Sequence, residues 1–197
     1  MINPAAYFDT LSLGERISQL VEGTSRAELH LLAYGSCLLS LYDGQPAAEW
    51  GYEFVSTEHG LPFSQELNAS IDLALNLGQF GLRSGMMVLT DEGTAEVIEL
   101  RKLESNESRD RYIAGASDCL LVLNPGNVRE AFNYDPTINY LRNGNHRDWL
   151  LTGSVVERLY SNFRQLREAL EYEPRDLSIP MVSWLRYLIE TGRATSN

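Results

Sequence analysis

Three histidines are the first residues to consider for acid–base or metal chemistry, and they lie far apart in the sequence. His59 stands in the turn Glu58-His59-Gly60, where an exposed acid–base pair could form. His146 stands in the polar segment 143–148, which could form a phosphate or nuclease-like site. For both residues, a surface loop with local hydrogen bonds or a partner contact is the commoner role. His30 lies in an apolar segment and is expected to be a hydrogen-bonded core or rim histidine.

The two cysteines are candidates for nucleophilic or metal chemistry only if their surroundings are polar. Cys37 falls in a very apolar segment, and Cys119 precedes the run Leu-Leu-Val-Leu. Free cysteines in such settings behave as small core residues, so we expect both to be buried and unreactive. No CxxC pair and no Cys/His cluster occurs. The sequence therefore predicts neither a zinc site nor a disulfide framework.

Sequence motifs for nucleotide binding, metalloprotease and acyl-transfer chemistry are absent. The chain contains no GxxxxGK(S/T), HExxH, HxE or GxSxG, and its glycines do not match GxGxxG. Asp91 and Glu92 fall in the first turn of a predicted helix, where negative charge is favoured. Asp9 and Glu15 show no partner pattern for a metal. We therefore predict a protein that is not an enzyme, with no catalytic residue, cofactor or metal, and keep an enzyme with an unrecognised site as an alternative.

Acidic residues are concentrated in the first hundred positions. The net charge is −11, and residues 1–100 carry 14 acids against three bases, whereas the remainder is balanced. A protein that grips DNA by itself normally presents a basic patch. The N-terminus has no basic stretch followed by an apolar run, and the longest mostly apolar run, Leu29–Tyr42, is too short to cross a bilayer. A cytoplasmic protein without a membrane partner is expected.

Apolar spacing and capping residues predict a mainly α-helical chain with a small β-hairpin, an α+β fold. The hairpin is expected over 80–89 with its turn at Ser84-Gly85, and 50–54 is expected to be a short strand or extended segment. The predicted helices cover about 13–22, 29–42, 65–77, 91–103, 111–123, a short stretch from Asn127, 154–171 and 179–191. Capping boxes at Ser12–Glu15 and Ser25–Glu28 are expected to open the first two helices, and Ser64 is expected to cap the third. The helix over 29–42 is apolar on nearly every face and is expected in the core, as is the face of the last helix that carries Met181, Trp184, Leu185 and Leu188.

A polar linker over 104–108 divides the chain into two predicted parts. Residues 1–103 form an N-terminal module, and residues 109–197 form a helical C-terminal part. Within the second part, 133–153 is rich in Asn, Gly, Pro and Asp and is expected to be irregular, with a helical turn around 137–141.

The order of elements in 25–103 is similar to that of a winged-helix module. The segment Met86-Met-Val-Leu-Thr-Asp-Glu-Gly93 resembles the junction between the wing and the following helix. In winged-helix proteins that bind DNA, the second helix of the turn enters the major groove. Here the matching helix carries Glu66 and Asp72 and no Lys or Arg, and the wing offers only Arg83. The resemblance therefore implies a protein-binding winged helix.

A longer pattern, Tyr52-Glu-Phe-x5-Gly60-Leu-Pro-Phe-Ser64-x2-Leu67, resembles the middle component of ABC-three-component defence systems, including the small subunit of Lamassu-type complexes. Kite-type SMC accessory subunits and Panacea-type antitoxins are weaker resemblances. The resemblance implies an adaptor in a bacterial anti-phage or anti-plasmid complex, bridging an SMC-like coiled-coil ATPase and a nuclease-type effector. It also implies that DNA is contacted only through the assembled complex. An antitoxin and a winged-helix transcriptional regulator that binds DNA remain alternatives.

Aromatic and arginine residues within the predicted irregular stretch form a candidate partner-binding surface. Such residues dominate the energetic centres of protein interfaces. A loop packed against the core is the alternative for the same residues. The candidate residues are Tyr134, Tyr140, Arg142, Arg147 and Trp149.

Overall fold

A computed structural model describes residues 2–143, 149–170 and 174–195, with the side chains of all of these except 141–143 and 195. Within these ranges the chain is mainly helical and contains two small antiparallel β-hairpins. The predicted fold class, mainly α within α+β, is confirmed.

The element bounds in the described residues are as follows. The helices are α1 Pro4–Ser18, α2 Arg26–Tyr42, α3 Gln65–Asn76, α4 Asp91–Leu100, α5 Glu107–Asp118, α6 Pro125–Asn133, α7 Pro136–Asn143, α8 Gly153–Ala169 and α9 Ser178–Thr195. The strands are β1 Val55–Ser56, β2 Pro62–Phe63, β3 Phe80–Arg83 and β4 Met86–Leu89. Short 3₁₀ turns cover Ala47–Trp50, Glu104–Asn106 and Cys119–Leu121.

Helix α2 forms the centre of the core. A capping box starts it, because the Ser25 hydroxyl accepts from the Glu28 N–H and the Glu28 carboxylate accepts from the Ser25 N–H. Fourteen of its 17 residues are buried, so apolar side chains are needed on nearly every face. It packs against α1, α5, α6, α8 and α9. The prediction of a core helix ending at Tyr42 is confirmed.

The β3–β4 hairpin turns at Ser84-Gly85, as predicted. Both residues have positive φ, +51° and +80°, which is the geometry of a two-residue hairpin turn. Thr24, between α1 and α2, exchanges two backbone hydrogen bonds with Met87 of β4 at 2.9 and 2.8 Å. This one-residue bridge adds a third strand position, which no sequence periodicity could have indicated.

Three predicted helix starts were wrong. Helix α1 begins at Pro4 because the Asn3 side chain caps it and proline suits the first helical position, whereas Ser12 lies in mid-helix and donates to Asp110. Helix α6 begins at Pro125, capped by Asn124, rather than at Asn127. For α1 and α6, an Asn-Pro pair was a better start signal than the one used. Helix α5 begins at Glu107 rather than at 111, and Glu104–Asn106 of the predicted linker forms a 3₁₀ turn.

Residues 50–54 were predicted to form a short strand or an extended segment with one aromatic face, and the strand does not occur. Trp50 ends a 3₁₀ turn, Gly51 reverses the chain at φ +91°, and pairing begins only at Val55. Tyr52 and Phe54 are nevertheless buried, as expected for one aromatic face. The stretch 133–153 is partly helical: α7 includes the predicted turn at 137–141, and 144–148 lie outside the described residues.

Candidate partner-binding surface

The five predicted interface residues occupy different environments. Tyr134 is half-buried, and its ring packs so closely on Gly192 of α9 that a Cβ there would overlap it. Tyr140 is 75% exposed and Trp149 is 47% exposed. Arg142 lies in α7, but its side chain, like the whole of Arg147, lies outside the described residues.

Trp149 is held at the surface by backbone pairing. It forms an antiparallel bridge with Val55, and the Leu150 N–H donates to the Phe54 carbonyl at 2.9 Å. Leu150 is fully buried and anchors the segment. Since Val55 also pairs with Phe63, Trp149 occupies a third strand position beside β1 and β2. The exposed part of its indole is therefore presented on fixed backbone.

Helix α7 is anchored at its start and exposes Tyr140. The buried Asp135 carboxylate accepts from the backbone N–H groups of Thr137 and Ile138 at 2.9 and 3.1 Å. Burial raises the pKa of Asp135, while these two hydrogen bonds lower it. Ile138 is fully buried, and Arg158 of α8 donates to the Thr137 hydroxyl at 2.9 Å. The anchored face leaves Tyr140 in solvent.

Tyr140 and Trp149 define what we call the β1-side aromatic surface. Trp149 pairs with β1, and α7 packs against the same strand. Exposed large aromatics on rigid backbone supply contact area at low entropic cost, and tyrosine and tryptophan are enriched in interface hot spots. The arrangement is suited to binding a protein partner.

His30 is a core residue, as predicted. It is buried, its Nδ1 accepts from the Ser64 N–H at 3.2 Å, and its ring stacks on Phe63 at 4.7 Å. Burial, assisted by Arg26, lowers the pKa of His30 to about 4. A neutral imidazole therefore joins α2 to the residue that caps α3.

The other residues considered for chemistry that the structure describes do not form a site with His30. His59 is exposed, with Nε2 3.9 Å from the Glu58 carboxylate, and His146 lies outside the described residues. Cys37 and Cys119 are fully buried, confirming the core interpretation. Burial raises the pKa of both thiols, that of Cys119 to about 12, so thiolate is disfavoured at neutral pH.

Asp9 and Arg109 form a buried ion pair that was not predicted from the sequence. The Arg109 guanidinium donates to both carboxylate oxygens of the fully buried Asp9, stacks 3.8 Å from the Trp50 ring centroid and donates to the Trp50 carbonyl. Tyr52 donates to the same carboxylate. Burial lowers the pKa of Arg109, but Asp9 outweighs this and raises it overall. One hundred residues separate the partners, and no local signal connects them.

The hydrogen bonds of the buried Asp9 carboxylate favour a structural role over an acid–base role. Three donor groups from two other segments already occupy it, so a proton donor or acceptor for substrate would have to break this network. Across the ranges that the structure describes, no group of three His, Cys, Asp or Glu side chains is placed to hold a metal. Nor, among those residues, is any helix long and apolar enough to cross a membrane.

Comparison of the chain with protein-family models, with curated proteins and with solved structures finds no match.

Proposed function

We propose that this protein is a non-enzymatic accessory subunit of a bacterial defence complex, in which it bridges an SMC-like ABC ATPase and a nuclease-type effector in the cytoplasm. The observation that carries the proposal is the β1-side aromatic surface. Tyr140 and Trp149 are exposed by 75% and 47% although the backbone around both is anchored to the core. Exposed aromatics held in this way favour protein binding over chemistry.

The arrangement of the N-terminal elements supports a winged-helix module within this subunit. Helix α1, the Thr24 bridge, α2, α3, the β3–β4 hairpin and α4 follow one another in the order expected of such a module. The Thr24 bridge supplies the extra strand position that a wing packs against. The β1–β2 pair is an insertion between α2 and α3.

The charges around α3 favour a protein partner for this module over DNA. Arg26, the base nearest to this helix in the described contacts, is engaged by Asn68 and Asp72 of α3 at 3.0 and 2.5 Å. Glu66 adds a further negative charge in the first turn. A helix that enters the major groove must approach phosphates, which this charge pattern opposes. In the proposed complex, DNA is contacted through the other subunits.

Co-expression with the genomic neighbours tests the proposal directly. The tagged chain is purified under native conditions, and co-eluting proteins are identified by mass spectrometry. We expect a long coiled-coil ATPase and an effector with the wild type. Tyr140→Ala/Trp149→Ala is expected to reduce recovery of at least one of them by about tenfold, because truncation of interface aromatics costs more than 1 kcal/mol each at hot spots. Tyr187→Ala, which removes a comparably exposed aromatic from α9, is the matched control.

Other outcomes select the alternatives. Recovery of a single small toxic protein supports an antitoxin and overturns the adaptor. A chain that elutes alone and shifts duplex DNA in a salt-dependent manner supports a transcriptional regulator. Intact recovery of both partners with the double variant shows that the β1-side aromatic surface is not the interface. Charge reversal at Arg142 and Arg147 tests the remainder of the predicted interface in the same experiment.

A further inference from the structure

One edge of the β3–β4 hairpin has no partner strand in the described chain. Thr24 pairs with the outer edge of β4, where it exchanges both backbone hydrogen bonds with Met87. On the outer edge of β3, no residue of the described ranges forms such a bridge. β3 is therefore an edge strand, and an edge strand can extend its sheet by pairing with a strand of another chain.

The backbone of Leu82 directs its hydrogen-bonding groups out of this edge. Leu82 lies opposite Met87 in the hairpin register, and Met87 directs its N–H and C=O toward Thr24. In an antiparallel pair, two opposite residues that exchange no hydrogen bonds direct these groups to opposite sides. The N–H and C=O of Leu82 are therefore directed away from β4, and the residue is 69% exposed. Among the described residues, neither group forms a hydrogen bond.

The β3 edge is held in place by the core. Phe80 is buried, and its ring packs so closely on Gly14 of α1 that a Cβ there would overlap it. Met87 of β4 is also buried, and the Thr24 bridge ties β4 to the connection between α1 and α2. Because this backbone is already extended and anchored, binding of a strand requires little further ordering of the chain.

Arg83 is the one charged residue of segment 77–90. It is exposed, and in the part of the chain that the structure describes its guanidinium has no hydrogen bond or ion pair. Successive side chains of a strand lie on opposite faces, so Leu82 presents an apolar contact on one face and Arg83 a positive charge on the other. A complementary strand therefore carries an apolar side chain against Leu82 and a carboxylate beside Arg83.

A second copy of this chain is a poorer occupant of the edge. Antiparallel pairing of two β3 strands about Leu82 would place the two Arg83 side chains as diagonal neighbours on one face, about 7–8 Å apart. Segment 77–90 contains no Asp or Glu that could lie between them. Each chain also has a net charge of −11, which opposes association of two copies.

We propose that the outer edge of β3 binds an extended segment of a partner protein as an added strand, with an apolar side chain against Leu82 and a carboxylate beside Arg83. Hydrogen bonds to the Leu82 backbone determine the binding mode, and the two side chains provide selectivity. The edge lies on different elements from the β1-side aromatic surface and binds its strand independently of it.

A designed peptide of about ten residues serves as the strand probe. Val alternates with Thr or Asp, and the Thr and Asp nitrogens are methylated, so that only the edge carrying the Val N–H groups can pair. The peptide is titrated into the full ¹⁵N-labelled chain and followed by NMR. We expect the Leu82 amide signal to shift and its hydrogen exchange to slow, because its N–H gains an acceptor. The Met87 amide, already bonded to Thr24, is expected to exchange slowly throughout.

Two further peptides separate the contributions of backbone and charge. A peptide with the same side chains but with every nitrogen methylated has no backbone donor, and we expect it not to bind. A peptide with Asn in place of Asp keeps the backbone donors but loses the charge. We expect it to bind about threefold more weakly than the Asp peptide, because an exposed ion pair contributes modestly.

Substitutions in β3 locate the binding. Leu82→Pro removes the outward N–H but leaves the hydrogen bonds to β4, and it is expected to weaken binding of the Asp peptide about tenfold. Leu82→Thr keeps the N–H and is expected to weaken binding about threefold, whereas Leu121→Thr, at a leucine that is 70% exposed elsewhere, is expected to leave it unchanged. Arg83→Gln is expected to weaken binding of the Asp peptide about threefold and to leave the Asn peptide unaffected.

Three outcomes overturn the proposal: an unchanged Leu82 amide at about 1 mM Asp peptide, equal binding of the fully methylated peptide, or undiminished binding by the Leu82 variants. Light scattering adds a fourth, because a wild-type dimer that Leu82→Pro converts to a monomer assigns the edge to a second copy. Circular dichroism checks that Leu82→Pro folds, and Leu82→Thr and Arg83→Gln, at exposed positions, carry the test if it does not. Tyr140→Ala/Trp149→Ala is expected to leave peptide binding unchanged, so failure here and failure of the proposed function are separable.

Discussion

At the scale of single residues, Asp9 and Arg109 form a buried ion pair. Asp9 lies in α1 and is fully buried, and Arg109 lies in the first turn of α5. Burial of either charge alone would be costly, and the pair is tolerable because each charge faces the other and because Tyr52 and the Trp50 carbonyl add hydrogen bonds to it. The network fixes the position of α5 against α1.

Removal of Arg109 alone is expected to be strongly destabilising. Arg109→Met leaves the Asp9 carboxylate buried without its counter-charge, and we expect the free energy of unfolding to fall by about 3–5 kcal/mol. Asp9→Leu/Arg109→Met removes both charges and is expected to recover much of that loss. Urea denaturation of the two single variants and the double variant measures the coupling.

The exposed Lys102–Glu99 pair provides the matched control for Arg109. Its two atoms are 2.6 Å apart, but both side chains are largely in solvent, so Lys102→Met is expected to change stability by no more than about 0.5 kcal/mol. Equal effects of Lys102→Met and Arg109→Met would contradict the structural role given to the buried pair.

At the scale of elements, local signals predicted some parts of the fold well. The Ser25–Glu28 capping box, the Ser64 cap of α3, the Ser84-Gly85 turn and the Met181–Leu188 face of α9 all act within a few residues, and all were found as predicted. The strand position of Trp149 depends instead on pairing with Val55, 94 positions away. Sequence could nominate Trp149 as an aromatic of interest but could not show what holds it.

Helix α7 depends on a buried carboxylate, and this predicts a pH dependence. Asp135 caps the helix that carries Tyr140, and burial raises its pKa above the ordinary value, which is about 3.9 in an unfolded chain. The folded protein therefore holds this proton more tightly than the unfolded chain does. As the pH rises through and above about 4, the charged form must be buried and the contribution of Asp135 to stability falls.

Asp135→Asn isolates this effect, because an amide oxygen can still accept from the α7 backbone while no charge forms. We expect the stability of Asp135→Asn relative to wild type to increase from pH 3.5 to pH 7, measured by urea denaturation at each pH. Asp135→Ala loses the cap at every pH and is expected to cost about 1–2 kcal/mol at pH 3.5. A relative stability that decreases over this range would show that the sign is wrong.

At the scale of the whole molecule, ion pairs join the acidic N-terminal half of the chain to the neutral C-terminal half. The acidic N-terminal half contributes Asp9 and Asp43, which pair with Arg109 and Arg111 of the neutral half. In the opposite direction, Asp110 of the neutral half accepts from Arg16 of the acidic half at 2.7 Å. Arg101, which lies just before the segment 104–108, also donates to Asp110 at 3.0 Å. Several ion pairs thus cross the polar segment 104–108. The two halves are therefore not independent, although their net charges differ.

The apolar core crosses the same boundary. Helix α2 is buried on one side by α1 and on others by α5, α6, α8 and α9, and the close approaches of Met181 to Gly35 and of Leu177 to Gly115 leave no room for a Cβ at either glycine. Separation of residues 1–103 from 109–197 would expose most of this helix. We therefore expect the two predicted parts to unfold together.

Calorimetry of the full chain tests this expectation. A single transition is expected, with a calorimetric enthalpy equal to the van't Hoff enthalpy, because neither part can keep its share of the α2 core after the other has melted. Arg109→Met should move the whole transition to lower temperature without splitting it. Two resolved transitions, or a shift confined to one of them, would show that the linker separates two domains with independent cores. In that case α2 would belong energetically to the N-terminal part, and its packing on α5 would be a weaker interface that partners could open.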